Sequence, residues 1–196
     1  VSTTTSAILG QMMDGHGQAF VAGTESQWGI SNTLWVGYRG EGELAISDGG
    51  SVTSTYGYIG YETNSTGAVT VTGTESLWVL DDDLYVGYAG TGTLDVNDNA
   101  RVIVDDNLYI GGDSEGSGGT GVLTVRDTGE VIVADELYVW ETGTLAGDGT
   151  VTISAPTTLY NYGTIAPGND GIGTLTVNGS VVFEPNSIFS VQIGDA

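Results

Sequence analysis

The chain has 196 residues, of which 25 are acidic and three are basic (Arg39, Arg101 and Arg126), giving a formal net charge of −22 with no lysine and no cysteine. So acidic a surface repels phosphate backbones and anionic lipid, which excludes nucleic-acid binding and electrostatic membrane docking. Hydrophobic content of 39% argues for a packed core in spite of the charge, and 33 glycines, more than twice the usual share of about 7%, argue for a chain that bends often.

From the N-terminus, "VSTTTSAIL" reads as a strand unlike the units downstream of it, and residues 1–17 are assigned to a cap or assembly segment. A repeat then begins. "LWVGYRGEGELAISDGG" starts at 34, "GYIGYETNSTGAVTVTG" at 57, "LYVGYAGTGTLDVNDNA" at 84, "LYIGGDSEGSGGTGVLTVRDTG" at 108 and a degenerate "LYVWETGTLAGDG" at 137. Successive starts lie 23, 27, 24 and 29 residues apart, and a longer match sets "GTESQW" at 23 against "GTESLW" at 73. Periods of this size mark solenoids or propellers.

Within each unit the runs Leu-Tyr-Val, Thr-Leu-x-Val and x-Val-x-Val alternate apolar with polar residues and are separated by Gly, Asn and Asp, the pattern of short strands. Helical periodicity is missing. Three strands in 23–29 residues fall short of a propeller blade and suit one coil of a parallel β-helix, each coil about 4.8 Å above the last. The fold expected is all-β, a parallel β-helix of about seven to eight coils.

Alternation assigns the faces. Leu34/Val36, Leu84/Val86, Leu108/Ile110 and Leu137/Val139 form a first inward wall. Leu44/Ile46, Val69/Val71, Leu94/Val96 and Leu123/Val125 form a second, and Val102/Val104 with Val131/Val133 a third. "GGDSEGSGG" at 111–119 reads as a flexible corner loop, and Trp28 and Trp78 as wedges anchoring corner loops. Residues 18–150 carry the repeats, and 151–196 further coils with an apolar strand in "SIFSVQIGDA".

The stretch "GTES-W…LYVGYAGTGTLDV" with its partners at 34 and 108 resembles repeats of bacterial surface proteins, namely type V secretion passengers (autotransporters) and PEP-CTERM-associated proteins. "GTIAPGNDGIGTLTVNGSVVFEPNSIFSVQI", 163–193, is similar to the region that closes autotransporter passengers. The resemblance covers residues 18–193 and implies a right-handed β-helix displayed outside a bacterial cell, a scaffold with no shared catalytic residue. Absence of cysteine fits bacterial export, and no apolar run reaches the roughly 20 residues of a membrane helix. With no basic leader visible, the chain reads as a mature product or a fragment.

Three features invite chemistry. Asp82, Asp106 and Asp135 stand two residues before a motif start, and Asp83, Asn107 and Glu136 one before it, so stacked coils would place them at one corner. Carboxylates about 5 Å apart repel by about 3 kcal/mol at an effective dielectric near 20. Calcium held by Asp82, Asp83, Asp106, Asp135 and Glu136 is one reading, and a solvated acidic corner without a cofactor is the other. Trp35, Tyr58, Tyr85, Tyr109 and Tyr138 occupy the outward position between inward apolar residues and form an aromatic ladder, self-stacking or open to glycans and partner subunits, with Tyr38, Tyr61 and Tyr88 as a second row. "DGHGQ" at 14–18 resembles the Gly-His-Gly of polygalacturonase-like β-helices, but here His16 precedes the aspartate pairs and the basic substrate motif is missing. The expected function is a non-enzymatic extracellular surface stalk, or a subunit of a filament or surface matrix, that self-associates end-to-end or laterally. An adhesin is the alternative and a polysaccharide-degrading enzyme the third.

Overall fold

Short alternating runs cannot bury both of their faces alone, and here they do so by coiling. The computed structural model describes residues 2–168 and 171–192, and every regular element among them is a strand. One coil consists of Leu84–Val86, Thr91–Asn97 and Arg101–Val104, one strand on each wall. Each is paired in parallel with its equivalents on either side. Leu84–Val86 lies between Ser51–Ile59 and Leu108–Ile110, and Thr91–Asn97 between Thr66–Thr72 and Thr120–Val125. The first and third walls join in a 14-stranded sheet because Gln27–Val36 and Ser51–Ile59 run through the corner between them. The second wall is an 8-stranded sheet of its own. The architecture is a parallel β-solenoid of about 7 turns, which at about 4.8 Å per coil makes a rod about 34 Å long.

All the pairs assigned inward point inward. Leu34, Val36, Leu84, Val86, Leu108, Ile110, Leu137 and Val139 are fully buried, as are Ile46, Val71, Val96 and Val125 on the second wall and Val102, Val104, Val131 and Val133 on the third. Each such side chain contributes about 1.5–3 kcal/mol relative to exposure.

Trp78 is a core residue rather than a corner wedge. It is fully buried between Val52 and Val102 on the third wall, and its indole N–H donates to Ser54 Oγ at 3.2 Å. Its bulk is accommodated by small residues. Ser54 stands in a column otherwise filled by Ile30, Leu80 and Val104, and Gly57 takes the place of the motif's leucine. A Cβ on Gly57 would lie 2.7 Å from Leu80 Cδ2 and 3.0 Å from Trp78 Cζ2. Trp28, half-buried, packs on the same core one coil beyond Val52.

Three further findings adjust the sequence reading. The 111–119 insertion closes as a hairpin, Gly112–Asp113 against Gly116–Ser117, with Trp140 Nε1 donating to the Asp113 carbonyl at 2.9 Å. The N-terminal run stays in the repeat, for Ser2–Thr4 stacks on Trp28–Ile30 and Ala7–Leu9 on Leu34–Val36. Near the other end Asn161 occupies the inward column of Val86, Ile110 and Val139, fully buried, with neither side-chain nitrogen nor oxygen paired.

The corner between first and second walls depends on glycine. Gly87 turns it at a φ of 78°, and five residues on, Gly92 stacks between Gly67 and Gly121. A Cβ on Gly92 would run into the Gly87 nitrogen and the Ile59 carbonyl. Gly92→Ala is therefore expected to lower stability by about 1–3 kcal/mol. Gly29→Ala, where the nearest heavy atom would be 3.5 Å away, should stay within about 0.5 kcal/mol of the parent. Urea melts of the two variants make the comparison.

Candidate functional site

The outer face of the first wall carries both predicted ladders. In-register pairing puts Trp35, Tyr58, Tyr85, Tyr109 and Tyr138 in one column, and extends it to Tyr160. Neighbouring ring centroids are 6.2, 4.7, 5.0, 5.4 and 5.2 Å apart along it, with interplanar angles of 2–17°. Beside it Tyr38, Tyr61 and Tyr88 stack at 5.2 and 4.9 Å, and beyond the hairpin Trp140 and Tyr162 stack at 4.8 Å.

The angle between the columns follows from the coil spacing. Rings repeating every 4.8 Å reach van der Waals contact, about 3.5 Å between planes, only if tilted by about 43°. Two columns tilted in opposite senses would then meet at about 86°. The cross-column angles are 81° for Trp35–Tyr38, 85° for Tyr58–Tyr61, 80° for Tyr58–Tyr88 and 82° for Tyr85–Tyr88. Between these two columns this is herringbone packing, in which every ring gives its face to a neighbour and each column its edges to the other. Beyond the hairpin the arrangement changes, for Trp140 lies at 12° to Tyr138 with centroids 5.4 Å apart. Though outward-pointing, Tyr85 and Tyr109 are only 8% and 6% exposed. Tyr160, Trp140 and Tyr162 escaped the sequence reading, although "LYNY" at 159 repeats the leucine, tyrosine and second-aromatic spacing of "LYVW" at 137, one residue shorter than in the units before it.

Next to the tyrosines the acids line one corner. Backbone N–H groups of Asp82 and Asp135 donate to the carbonyls of Thr55 and Asp106, which fixes the stacking. Asp83 is fully engaged: Oδ1 accepts from Asn107 N at 3.0 Å and Nδ2 at 3.1 Å, and Oδ2 accepts from the Tyr85 hydroxyl at 2.7 Å. Asn107 Oδ1 accepts from Glu136 N at 3.2 Å, and Glu136 Oε2 accepts from the Tyr138 hydroxyl at 2.9 Å. An amide thus separates two carboxylates, and each carboxylate holds a tyrosine hydroxyl.

Carboxylate oxygens of Asp82, Asp83 and Asp106 come within 4.8 Å of one another. Asp135 and Glu136 continue the column but stand outside that group. Calcium takes six to eight oxygens. Against that demand Asp83 has both oxygens committed, while Asp82 Oδ1 accepts from Asp83 N and Asp106 Oδ1 from Asn107 Nδ2. The donor set fits a loosely held hydrated cation better than a caged one.

His16 is not brought to the acids. It lies on the second wall of the first coil, its Nδ1 3.3 Å from Glu41 Oε2, three coils below Asp82. The arginines join acids across coils: Arg126 to Asp95, Arg101 Nε to Glu130 Oε2 at 3.1 Å and Arg39 to Glu62 at 3.9 Å. Set against known protein families, curated proteins and solved structures, the chain finds no match.

Electrostatics of this face lead to two expectations. Burial first, then the neighbouring carboxyls Asp83, Asp82 and Asp135, hold the Asp106 carboxyl above its ordinary range. Between its unfolded and folded values the native state binds more protons, so stability falls as pH rises through that window, and the penalty is complete at neutral pH. Asp106→Asn should raise the melting temperature at pH 7, and the gain should vanish as pH drops below the ordinary carboxylate range. Burial likewise pushes the Tyr58 and Tyr138 phenols from 10.0 to about 12, and Tyr85 and Tyr109 higher still, Tyr85 being further raised by its bond to Asp83. The unfolded chain releases these protons first, so the stability they contribute is whole below pH 10 and lost as pH rises through the folded values. The tyrosinate absorbance contributed by Tyr58, Tyr85, Tyr109 and Tyr138 should therefore appear late and together with unfolding, as difference spectra of their phenylalanine variants would read out.

Proposed function

We propose that the chain is a segment of a rigid, non-catalytic rod outside a bacterial cell, a stalk or filament subunit in which length and stiffness are the function. The carrying observation is that the aromatic face is spent on itself. Rings whose faces cover one another stiffen the axis by about 0.5–1.5 kcal/mol per stacked pair beyond the area they bury. They leave little flat surface for sugars to lie on, which weighs against the adhesin reading. The same economy holds for charge, since each arginine joins an acid across coils and Asp83 and Glu136 fasten tyrosine hydroxyls.

Self-association is part of the proposal. The last described strands, Ser180–Phe183 and Ile188–Phe189, expose residues that belong to the inward columns, with Phe183 at 51% and Phe189 at 57%. Such an end invites another coil, and we assign that coil to a second copy stacking head to tail. Calcium or another divalent cation at the acid corner would lessen repulsion along the rod without being needed for the fold.

Sedimentation velocity over a dilution series, with negative-stain electron microscopy, tests the reading. Rods that lengthen with concentration are expected. Phe183→Asp with Phe189→Asp should leave a short monomer of unchanged β-content. A strictly monomeric parent at high concentration, or strong selective glycan binding with no rods, would overturn the proposal.

A further inference from the structure

The chain's entire supply of soft and imidazole ligands is gathered in one bend. It holds two methionines, one histidine and no cysteine, and Met12, Met13 and His16 fall within five residues of one another. They sit where the first coil passes from Ala7–Leu9 to His16–Ala22. The bend is tight: Gly15 N–H donates to the Met12 carbonyl at 2.9 Å and Asp14 has a φ of 61°. The chain reverses between Met12 and His16, so the side chains on its two legs come from neighbouring points. Met12 and Met13 are 73% and 78% exposed and take no part in the core. An apolar packing role would have covered them, whereas a thioether ligand has to be reachable.

The histidine is prepared in the same sense. Glu41 faces His16 from the next coil, with Oε2 3.3 Å from Nδ1. A proton held on Nδ1 by that carboxylate leaves the Nε2 lone pair free. Carboxylate support of this kind stands behind most metal-ligating histidines. We infer that Met12, Met13 and His16 bind a soft monovalent cation of the Cu(I) or Ag(I) class, through two thioether sulfurs and one imidazole nitrogen.

Ligand softness selects the metal. Thioethers favour Cu(I), whereas calcium and magnesium require the oxygen donors that this chain displays elsewhere. Each methionine has three rotatable bonds and a polarizable sulfur, enough reach to converge with the imidazole. Arg39 borders the bend, lining with Met13, Asp14, Glu41 and Glu62 a cleft of about 500 Å³. The net negative lining attracts a divalent ion more than a monovalent one, so selection rests on the softness of the ligands and not on charge.

Anaerobic titration with Cu(I) against bicinchoninate should transfer one equivalent of metal to the protein. Ag(I) alone, as a redox-inert probe, should shift the ε-methyl resonances of both methionines. Met12→Leu with Met13→Leu should weaken binding by about tenfold or more. Glu41→Gln, which keeps every ligand and removes only the support for Nδ1, should weaken it by about 10–100-fold. Because Met12, Met13 and Glu41 are exposed, the melting temperature should not move, separating lost ligation from lost fold. Failure to draw Cu(I) from the chelator, full Ag(I) affinity in the double leucine variant, or displacement of Ag(I) by equimolar Zn(II) would overturn the assignment.

Discussion

Parallel, in-register hydrogen bonding between coils is the constraint on which everything else rests. Once Tyr85 is paired with Tyr58 on one side and Tyr109 on the other, like residues are held about 4.8 Å apart whatever their chemistry. Aliphatic side chains meet that spacing easily. Aromatic rings meet it only by tilting, and the herringbone of the two tyrosine columns is the result. Carboxylates do not meet it comfortably, and Asn107 between Asp83 and Glu136 is the local answer, an uncharged residue donating to one neighbour through its side chain and accepting from the other's backbone.

The walls were legible because strand alternation and a period of 23–29 residues survive substitution. Leu84/Val86 and Val102/Val104 could be placed inward from spacing alone. The motif's irregularities were harder to read, since they compensate one another in space and not along the chain. Gly57 looks like a defect in "GYIGY" until Trp78, a coil away, is found filling the room that Gly57 and Ser54 leave. A wedge anchoring a corner loop is the natural reading of Trp78 from sequence, as a large residue near a glycine-bearing bend gives no sign of which coil it enters. Tyr160 was missed for a related reason: the seventh coil is short, and the motif there is compressed.

The acid column was likewise visible, while its division of labour was not. Sequence spacing treats Asp82, Asp83, Asp106, Asp135 and Glu136 alike. In the fold Asp83 and Glu136 serve tyrosines, Asp82 and Asp106 stand close together, and Asp135 contributes through its backbone. Those roles depend on side-chain reach across a corner, which no one-dimensional pattern encodes. His16 stands out in the sequence for its glycine neighbours, whereas its partner in space is Glu41 in the coil above.

Asn161 gives the rod a direction. A buried amide lacking partners forfeits about 1–3 kcal/mol, and it does so one rung from the end where Phe183 and Phe189 are already half in water. Nearest-neighbour coupling between coils makes such a loss local and does not spread it over the whole rod. Fraying should start at that tip and peel toward Trp35. The two extremities of the described spiral therefore differ in tenacity, and the one bearing Phe183 and Phe189 has the least to lose by rearranging.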